Sequence, residues 1–181
     1  MGFLLVVFVV LVGFVIFLFS SKTFSPIPYF PTQKADLPLI IKTLNLKNNQ
    51  TVVDLGAGDG RVIFEAAKKA FQQKFNTRFI AAEINPVLIT ILHLRRLFHP
   101  NRRNIKIVLD DMFNMDFNAL DSGLRRNDIV FYLYISPRYM EKTILNIKKQ
   151  ISKFRVVSYM YQINKTTPSK KSIFIYDFQD F

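Results

Sequence analysis

The chain has 181 residues, half of them apolar, which is enough for one domain with a substantial core and too apolar for a disordered segment. Its net charge of +12 suits an anionic lipid surface, a nucleic acid or an acidic protein, without choosing among them. Cysteine is absent, which excludes disulfides, thiol nucleophiles and thiolate metal sites; His93 and His99 lack helical ligand spacing, so no metal site is expected.

The first twenty residues carry no charged side chain and no proline, and the run from Gly2 to Phe19 is continuously apolar. As a helix it would reach roughly 27 Å, near the roughly 30 Å of a bilayer's hydrocarbon core, so a single transmembrane anchor is expected over residues 1–21. A cleaved signal peptide is the competing reading, but no Lys or Arg precedes the run and no small-x-small site follows it. All 25 Lys and Arg residues come later, from Lys22 onwards, which predicts a single-pass protein with its domain facing the cytoplasm. Residues 22–35 then read as a linker, because Pro26, Pro28 and Pro31 forbid helix. Its adjacent aromatics, Tyr29 and Phe30, are unusual for a spacer. They point either to ordinary packing on the domain or to a role over its active site.

The domain proper is expected over residues 36–181. From Asp36 to Leu46 the apolar positions Leu37, Ile40, Ile41 and Leu44 recur at helical spacing, with Pro38 in the first turn. Thr51 to Leu55 reads as a buried strand, followed by a glycine turn and a helix from about Gly60 to Lys74. Arg78 to Glu83 is a second strand, after which Asn85-Pro86 supplies a cap and a helix to about Phe98. Ile105 to Leu109 is a third strand and Asp128 to Ile135 a fourth, too apolar for anything but a central place. Between them, residues 118–127 show no periodicity and read as a surface loop. Ser136-Pro137 opens another helix with Met140, Ile144, Ile147 and Ile151 on one face, and Arg155 to Ile163 and Ser172 to Phe178 are the last strands. This alternation predicts an α/β fold, a Rossmann-like, doubly wound and mostly parallel sheet with right-handed crossovers. Ligands in such sheets bind beyond the carboxyl ends of the strands.

Those ends carry the chemistry. The turn Asp54-Leu-Gly56-Ala-Gly58-Asp-Gly60-Arg61 lets a ligand approach backbone without a Cβ in the way. Its spacing departs from the dinucleotide fingerprint, and no cation precedes Arg61 to hold a pyrophosphate. Glu83, at the end of the second strand, is placed to accept both hydroxyls of a ribose. Asp111, after the third, could accept from an adenine amino group while the Met112 N–H meets a ring nitrogen. The helix N-terminus can take a carboxylate, and Asp54 or Asp59 favours a positive neighbour. S-adenosylmethionine fits this set; the alternative is a nucleotide-like turn whose acids merely cap helices.

In motif order, over nearly the whole domain, the sequence resembles the class I methyltransferases. More narrowly, it is similar to the small membrane-anchored protein-lysine methyltransferases, those of the ATP synthase c-ring protein and the adenine nucleotide translocase among them. The resemblance is carried by the N-terminal anchor, Pro28-Tyr-Phe-Pro-Thr32, Asp54 to Arg61, Glu83-Ile-Asn-Pro86, Asp111-Met-Phe113 and the fourth strand with Tyr132, Tyr134 and Pro137. It implies that Asp54, Gly56, Gly58, Gly60, Glu83 and Asp111 bind the cofactor, with Ala57, Asp59, Ile84 and Met112 beside them. It also implies that Tyr29 and Phe30 close over the reacting methyl group. Tyr132 and Tyr134 are candidates for an aromatic acceptor pocket, with core packing an equal alternative. Gln33 stands where the family usually has a proline, and the short tail predicts a final hairpin reduced to one strand. The implied partner is a protein substrate, with membrane proteins among the candidates. The rivals are an RNA or small-molecule methyltransferase, against which no Asn-Pro-Pro-Tyr-type motif follows the fourth strand, and a membrane-tethered binding module without turnover.

Overall fold

The structure is a computed structural model that describes residues 2–20, 29–120, 128–163 and 172–179, with the side chains of the first helix described as far as residue 13. Helix α1 (Gly2–Ser20) precedes the domain. The domain then runs α2 (Leu37–Leu44), β1 (Thr51–Leu55), α3 (Arg61–Gln72), β2 (Arg78–Glu83), α4 (Pro86–Leu97), β3 (Ile105–Leu109), α5 (Phe117–Leu120), β4 (Ile129–Leu133), α6 (Pro137–Lys148), β5 (Lys153–Tyr159) and β6 (Ile173–Gln179).

The strands form one sheet in the order β3-β2-β1-β4-β5-β6, parallel except for β6, which pairs antiparallel to β5. Strand order reverses between β1 and β4, so a crevice opens beyond their carboxyl ends. Every residue of β1 and β4 is buried, as central strands covered on both faces must be. Because side chains alternate, Val52, Ala81, Val130 and Val157 face a core closed by α2, α3 and α4, with Ile63, Ala67 and Leu92 among its members. Val53, Ile80, Phe131 and Val156 face the opposite core, closed by Phe117 of α5 and by Met140, Ile144 and Ile147 of α6.

Local chemistry sets the ends of the elements. Asn85 caps α4 by accepting from the backbone N–H groups of Val87 and Leu88, and Pro86 fills the first helical position. Gly60 enters α3 in the left-handed region at φ 74°, and Asn45 leaves α2 there at φ 50°. The β5 strand stops at Tyr159, short of the expected Ile163, because Met160 turns to φ 68° and its N–H bonds to Ser172. Part of the expected 118–127 loop is helical instead: Asp116 accepts from Asn118 and Ala119 and starts the single turn α5, whereas residues 121–127 lie outside the described ones. Among the described residues, the one strand after β5 is β6, antiparallel to it.

The expected membrane span is not borne out: among the described residues, no helix is long and apolar enough to cross a membrane. Half of the expected linker, residues 22–28, lies outside the described residues.

Candidate active site

At the reversal of strand order, one crevice is lined by the glycine turn, the ends of β1, β2 and β3, the end of β4 and the segment from Tyr29 to Thr32. Register explains the convergence. Asp54 pairs with Ala81 on one side and Tyr132 on the other, so Asp54 and Tyr132 emerge on the same face of the sheet as immediate neighbours. Glu83 ends β2 one strand away, and Asp110 and Asp111 follow β3 beyond it. Three successive parallel strands thus deliver their acids to one edge.

The carboxylates differ in their surroundings. Glu83 is buried and held rigidly, because Oε1 accepts from the N–H groups of Ile84 (2.9 Å) and Asn85 (3.0 Å) and Oε2 from that of Gly58 (2.8 Å). A carboxylate has about four acceptor positions, so at least one still faces the crevice. Asp111 accepts from Phe113 N–H and the Asn114 side chain, and Asp110 from Asp111 N–H. Asp54 is buried, and none of the described residues donates a hydrogen bond to it. Burial, then the carboxylates of Glu83 and Asp59, push its pKa up to about 8. A protonated acid facing other acids in a crevice is a place prepared for a cation.

The glycine turn is shaped by close approach. Gly56, Gly58 and Gly60 all lie in the left-handed region, at φ 77°, 59° and 74°. A Cβ on Gly58 would meet Tyr29 Cε2 at 2.6 Å, and one on Gly56 would meet Met112 Cε at 2.9 Å. Gly60 does not line the crevice. Its missing Cβ would fall 2.4 Å from Leu92 Cδ2 and 2.6 Å from Phe64 Cε2, so it serves the packing of helices rather than the ligand side. Every other residue singled out in the sequence, Tyr29, Phe30, Asp54, Gly56, Ala57, Gly58, Asp59, Glu83, Ile84, Asp111, Met112, Tyr132 and Tyr134, lines the one crevice.

What the sequence does not reveal is the clamp that holds the N-terminal segment in place. Arg61 Nη1 donates to the Thr32 carbonyl at 2.6 Å, and Thr32 Oγ1 lies 3.2 Å from the Tyr132 hydroxyl. Arg61 is itself steadied by Asp59, which also meets Arg95. A further tie, 2.6 Å from the Tyr159 hydroxyl to Asp36 Oδ2, fixes the start of α2 to β5. An arginine directly after a glycine turn is the one signal of the clamp in the sequence, and it gives no partner. Tyr132 is almost wholly buried, and burial raises its pKa, with the Thr32 contact opposing the shift, so it stays a neutral phenol. Tyr134 is half-buried, packs edge-on against Tyr159 at 4.8 Å and lies parallel to Tyr161 at 6.4 Å. The two alternatives open for these tyrosines therefore divide: Tyr132 is mostly core with its hydroxyl at the wall, and Tyr134 borders the opening in an aromatic group.

No protein-family model matches the chain. Among curated proteins it is 26% identical over 146 residues to a probable ribosomal RNA small subunit methyltransferase A of Methanosphaera stadtmanae, covering 79% of this chain and 41% of that protein. It is 27% identical over 105 residues to the lysine N-methyltransferase of the ATP synthase c-ring protein from Xenopus laevis, covering 58% of this chain and again 41% of the relative. The chain therefore spans about two fifths of the length of the curated relatives it matches. Among solved structures, an RNA methyltransferase of Salinibacter ruber in complex with S-adenosyl-L-homocysteine superposes with TM-score 0.65 at 19% identity, over 84% of this chain and 95% of that one. The relatives and structural neighbours of this chain are class I methyltransferases, lysine N-methyltransferases of the ATP synthase c-ring among them at modest identity, and their fold is the fold of this domain.

Proposed function

We propose that this chain is an S-adenosylmethionine-dependent methyltransferase that methylates a lysine amine of a protein substrate. The observation that carries the first half is the convergence of Asp54, Glu83 and Asp111 from three adjacent strand ends on the crevice beside Gly56 and Gly58. The donor set fits that cofactor. Glu83 keeps acceptor capacity for ribose hydroxyls, Asp111 stands where a base would lie, and the buried acid Asp54 awaits a positive group. A pyrophosphate fits poorly, because Arg61 and Arg95 are engaged with Asp59 and backbone carbonyls. The solved methyltransferases of like fold include one that binds S-adenosyl-L-homocysteine, which supports the same reading.

When bound, S-adenosylmethionine supplies a methyl group on a sulfonium sulfur, and the sulfur leaves as a neutral thioether when a nitrogen lone pair takes the methyl carbon. The chain's own residues have the task of alignment and desolvation. Glu83 and Asp111 fix the nucleoside end. Tyr29, tied down through Thr32 and Arg61, lies on Gly58, and Phe30, itself 67% exposed, lines the same crevice beside it. Tyr134 borders the side where an acceptor would enter, with the Tyr132 hydroxyl at the wall behind it, and its ring suits an amine that sheds its proton before attack. No general base among the described residues is needed for a neutral amine.

An RNA acceptor is the second reading. It is favoured by the ribosomal RNA methyltransferase relative, which aligns with more of this chain than the lysine methyltransferase does. Labelled methyl transfer to membrane-protein, soluble-protein and RNA fractions separates the two. Incorporation into protein that survives nuclease supports the lysine reading; label confined to RNA overturns it. A fold that binds the cofactor and transfers nothing would reveal a binding module. Calorimetry tests the site itself: Glu83→Ala and Gly58→Arg should abolish cofactor binding while the domain stays folded, and undiminished affinity in both would refute the assignment. For location, the proposal rests on the sequence alone: every Lys and Arg follows residue 21, which supports a membrane-bound protein with its domain facing the cytoplasm. Release of the full chain from membranes by alkaline carbonate would count against it.

A further inference from the structure

Helix α4 carries apolar residues on two faces. Leu88 and Leu92 are buried against the sheet. On the adjoining side, Val87, Ile91 and Leu94 recur at i, i+4 and i+7, one stripe along the helix, with Phe98 following at its C-cap. Val87 and Ile91 are half-buried, but Leu94 is 54%, Leu97 58% and Phe98 89% exposed. A phenylalanine this bare beside two bare leucines is an interaction surface rather than scattered surface apolarity.

Arginines surround the bare end. Arg102 Nη1 donates to the Leu97 carbonyl at 3.2 Å and Arg96 Nε to the Arg102 carbonyl at 3.1 Å, which folds both guanidinium groups around the last turn of α4. Arg103 is exposed next to them. Each guanidinium offers five donors, so most remain for another partner, and among the described residues none of these three arginines meets a carboxylate. Arg95 differs, being spent on Asp59 and on the ring of Phe64 at 4.9 Å. Helix α1 lies against α4, and its described apolar side chains from Phe3 to Val12 are 40% to 80% exposed.

We propose that the outer face of α4, with Leu94, Leu97 and Phe98 at its centre and Arg96, Arg102 and Arg103 at its rim, docks on an anionic phospholipid surface. Apolar side chains then enter the acyl boundary while the guanidinium groups meet headgroup phosphates, the arrangement of an interfacial helix. RNA would engage the arginines and stack a base on Phe98, but would leave Leu94 and Leu97 in water. A second copy of the chain would bury Phe98 without needing anionic lipid. The lipid reading alone uses both features, and it stands independently of the methyltransferase reading.

The chain contains no tryptophan, so Phe98→Trp in the full chain places a single fluorescent reporter at the centre of the patch. With vesicles of phosphatidylcholine mixed with phosphatidylglycerol, its emission should shift to the blue and be quenched by brominated acyl chains. In Arg102→Gln/Arg103→Gln the quenching should weaken about tenfold in lipid requirement, even where the chain still pellets with vesicles. Leu94→Trp, on the same stripe, should respond in the same way if the first reporter perturbs folding. An emission that stays water-exposed at both positions in anionic vesicles overturns the proposal. So does a shift produced by RNA and not by vesicles, or one that appears with rising protein concentration in the absence of lipid.

Discussion

Gly58 and Gly60 stand two residues apart in one turn and face different neighbours. Alanine at Gly58 would press on the ring of Tyr29, a side chain at the crevice wall that can move, whereas alanine at Gly60 would press on Leu92 and Phe64 inside the core. Both also occupy the left-handed region, which costs an L-residue about 1–2 kcal/mol. Gly58→Ala is therefore expected to lose cofactor affinity with only that modest loss of stability. Gly60→Ala should lose roughly 2–4 kcal/mol of stability in denaturant titration, from strain and overpacking together. Equal stability of the two variants would contradict this division. Asp54 makes a prediction in pH. Its folded-state pKa of about 8 lies far above the ordinary 3.8, so between these values the folded protein holds a proton that the unfolded chain has lost. The stability it contributes is full below about pH 4 and declines as pH rises toward 8, at up to about 1.4 kcal/mol per pH unit. Asp54→Asn should flatten that part of the melting-temperature profile. Binding a positively charged group beside Asp54 should release its proton, visible at pH 7 as a calorimetric enthalpy that depends on the buffer and does so less in Asp54→Asn.

The segment from Tyr29 to Thr32 behaves as an element, although it is neither helix nor strand, because its last residue, Thr32, is tied to both α3 and β4. Removing the Arg61 hold on the Thr32 carbonyl leaves the Thr32–Tyr132 contact to keep Tyr29 over Gly58. Arg61→Ala is expected to weaken cofactor binding about tenfold, the worth of one charged hydrogen bond, mainly through faster dissociation. Stopped-flow release measures this; an unchanged off-rate would show that the clamp does not govern closure. The strands and helices themselves are legible in the sequence because the pattern repeats: acid at the strand end, cap, proline or glycine, then an apolar helical face. The clamp is not legible, since Arg61 and Thr32 are 29 residues apart and nothing in spacing couples an arginine to a distant carbonyl. The packing role of Gly60 is hidden for a related reason. Alternate glycines look equivalent in sequence, and only the packing of α4 against α3 shows that the third one faces Leu92.

At the scale of the whole molecule, the two cores that flank the sheet draw their buried members from α2 through β5, with partly buried side chains of β6 packed against them, and no described residue of α1 belongs to either. The energetics of the domain are thus separable from its first helix. A form lacking residues 1–20 is expected to bind S-adenosylmethionine with the affinity of the full chain and to melt within a few degrees of it, since the lost contacts with α4 are peripheral. Loss of cofactor binding on that truncation would mean that α1 organises the crevice through α4 and the Arg95–Asp59 contact. The two outcomes also bear on the lipid-facing surface. If α1 is energetically independent, vesicle binding by the truncated form measures the arginine-rimmed face of α4 alone, and that binding should fall steeply with salt because screening weakens each guanidinium–phosphate contact. Salt-insensitive binding would instead assign the attraction to Leu94, Leu97 and Phe98, with the arginines serving only to close the last turn of the helix.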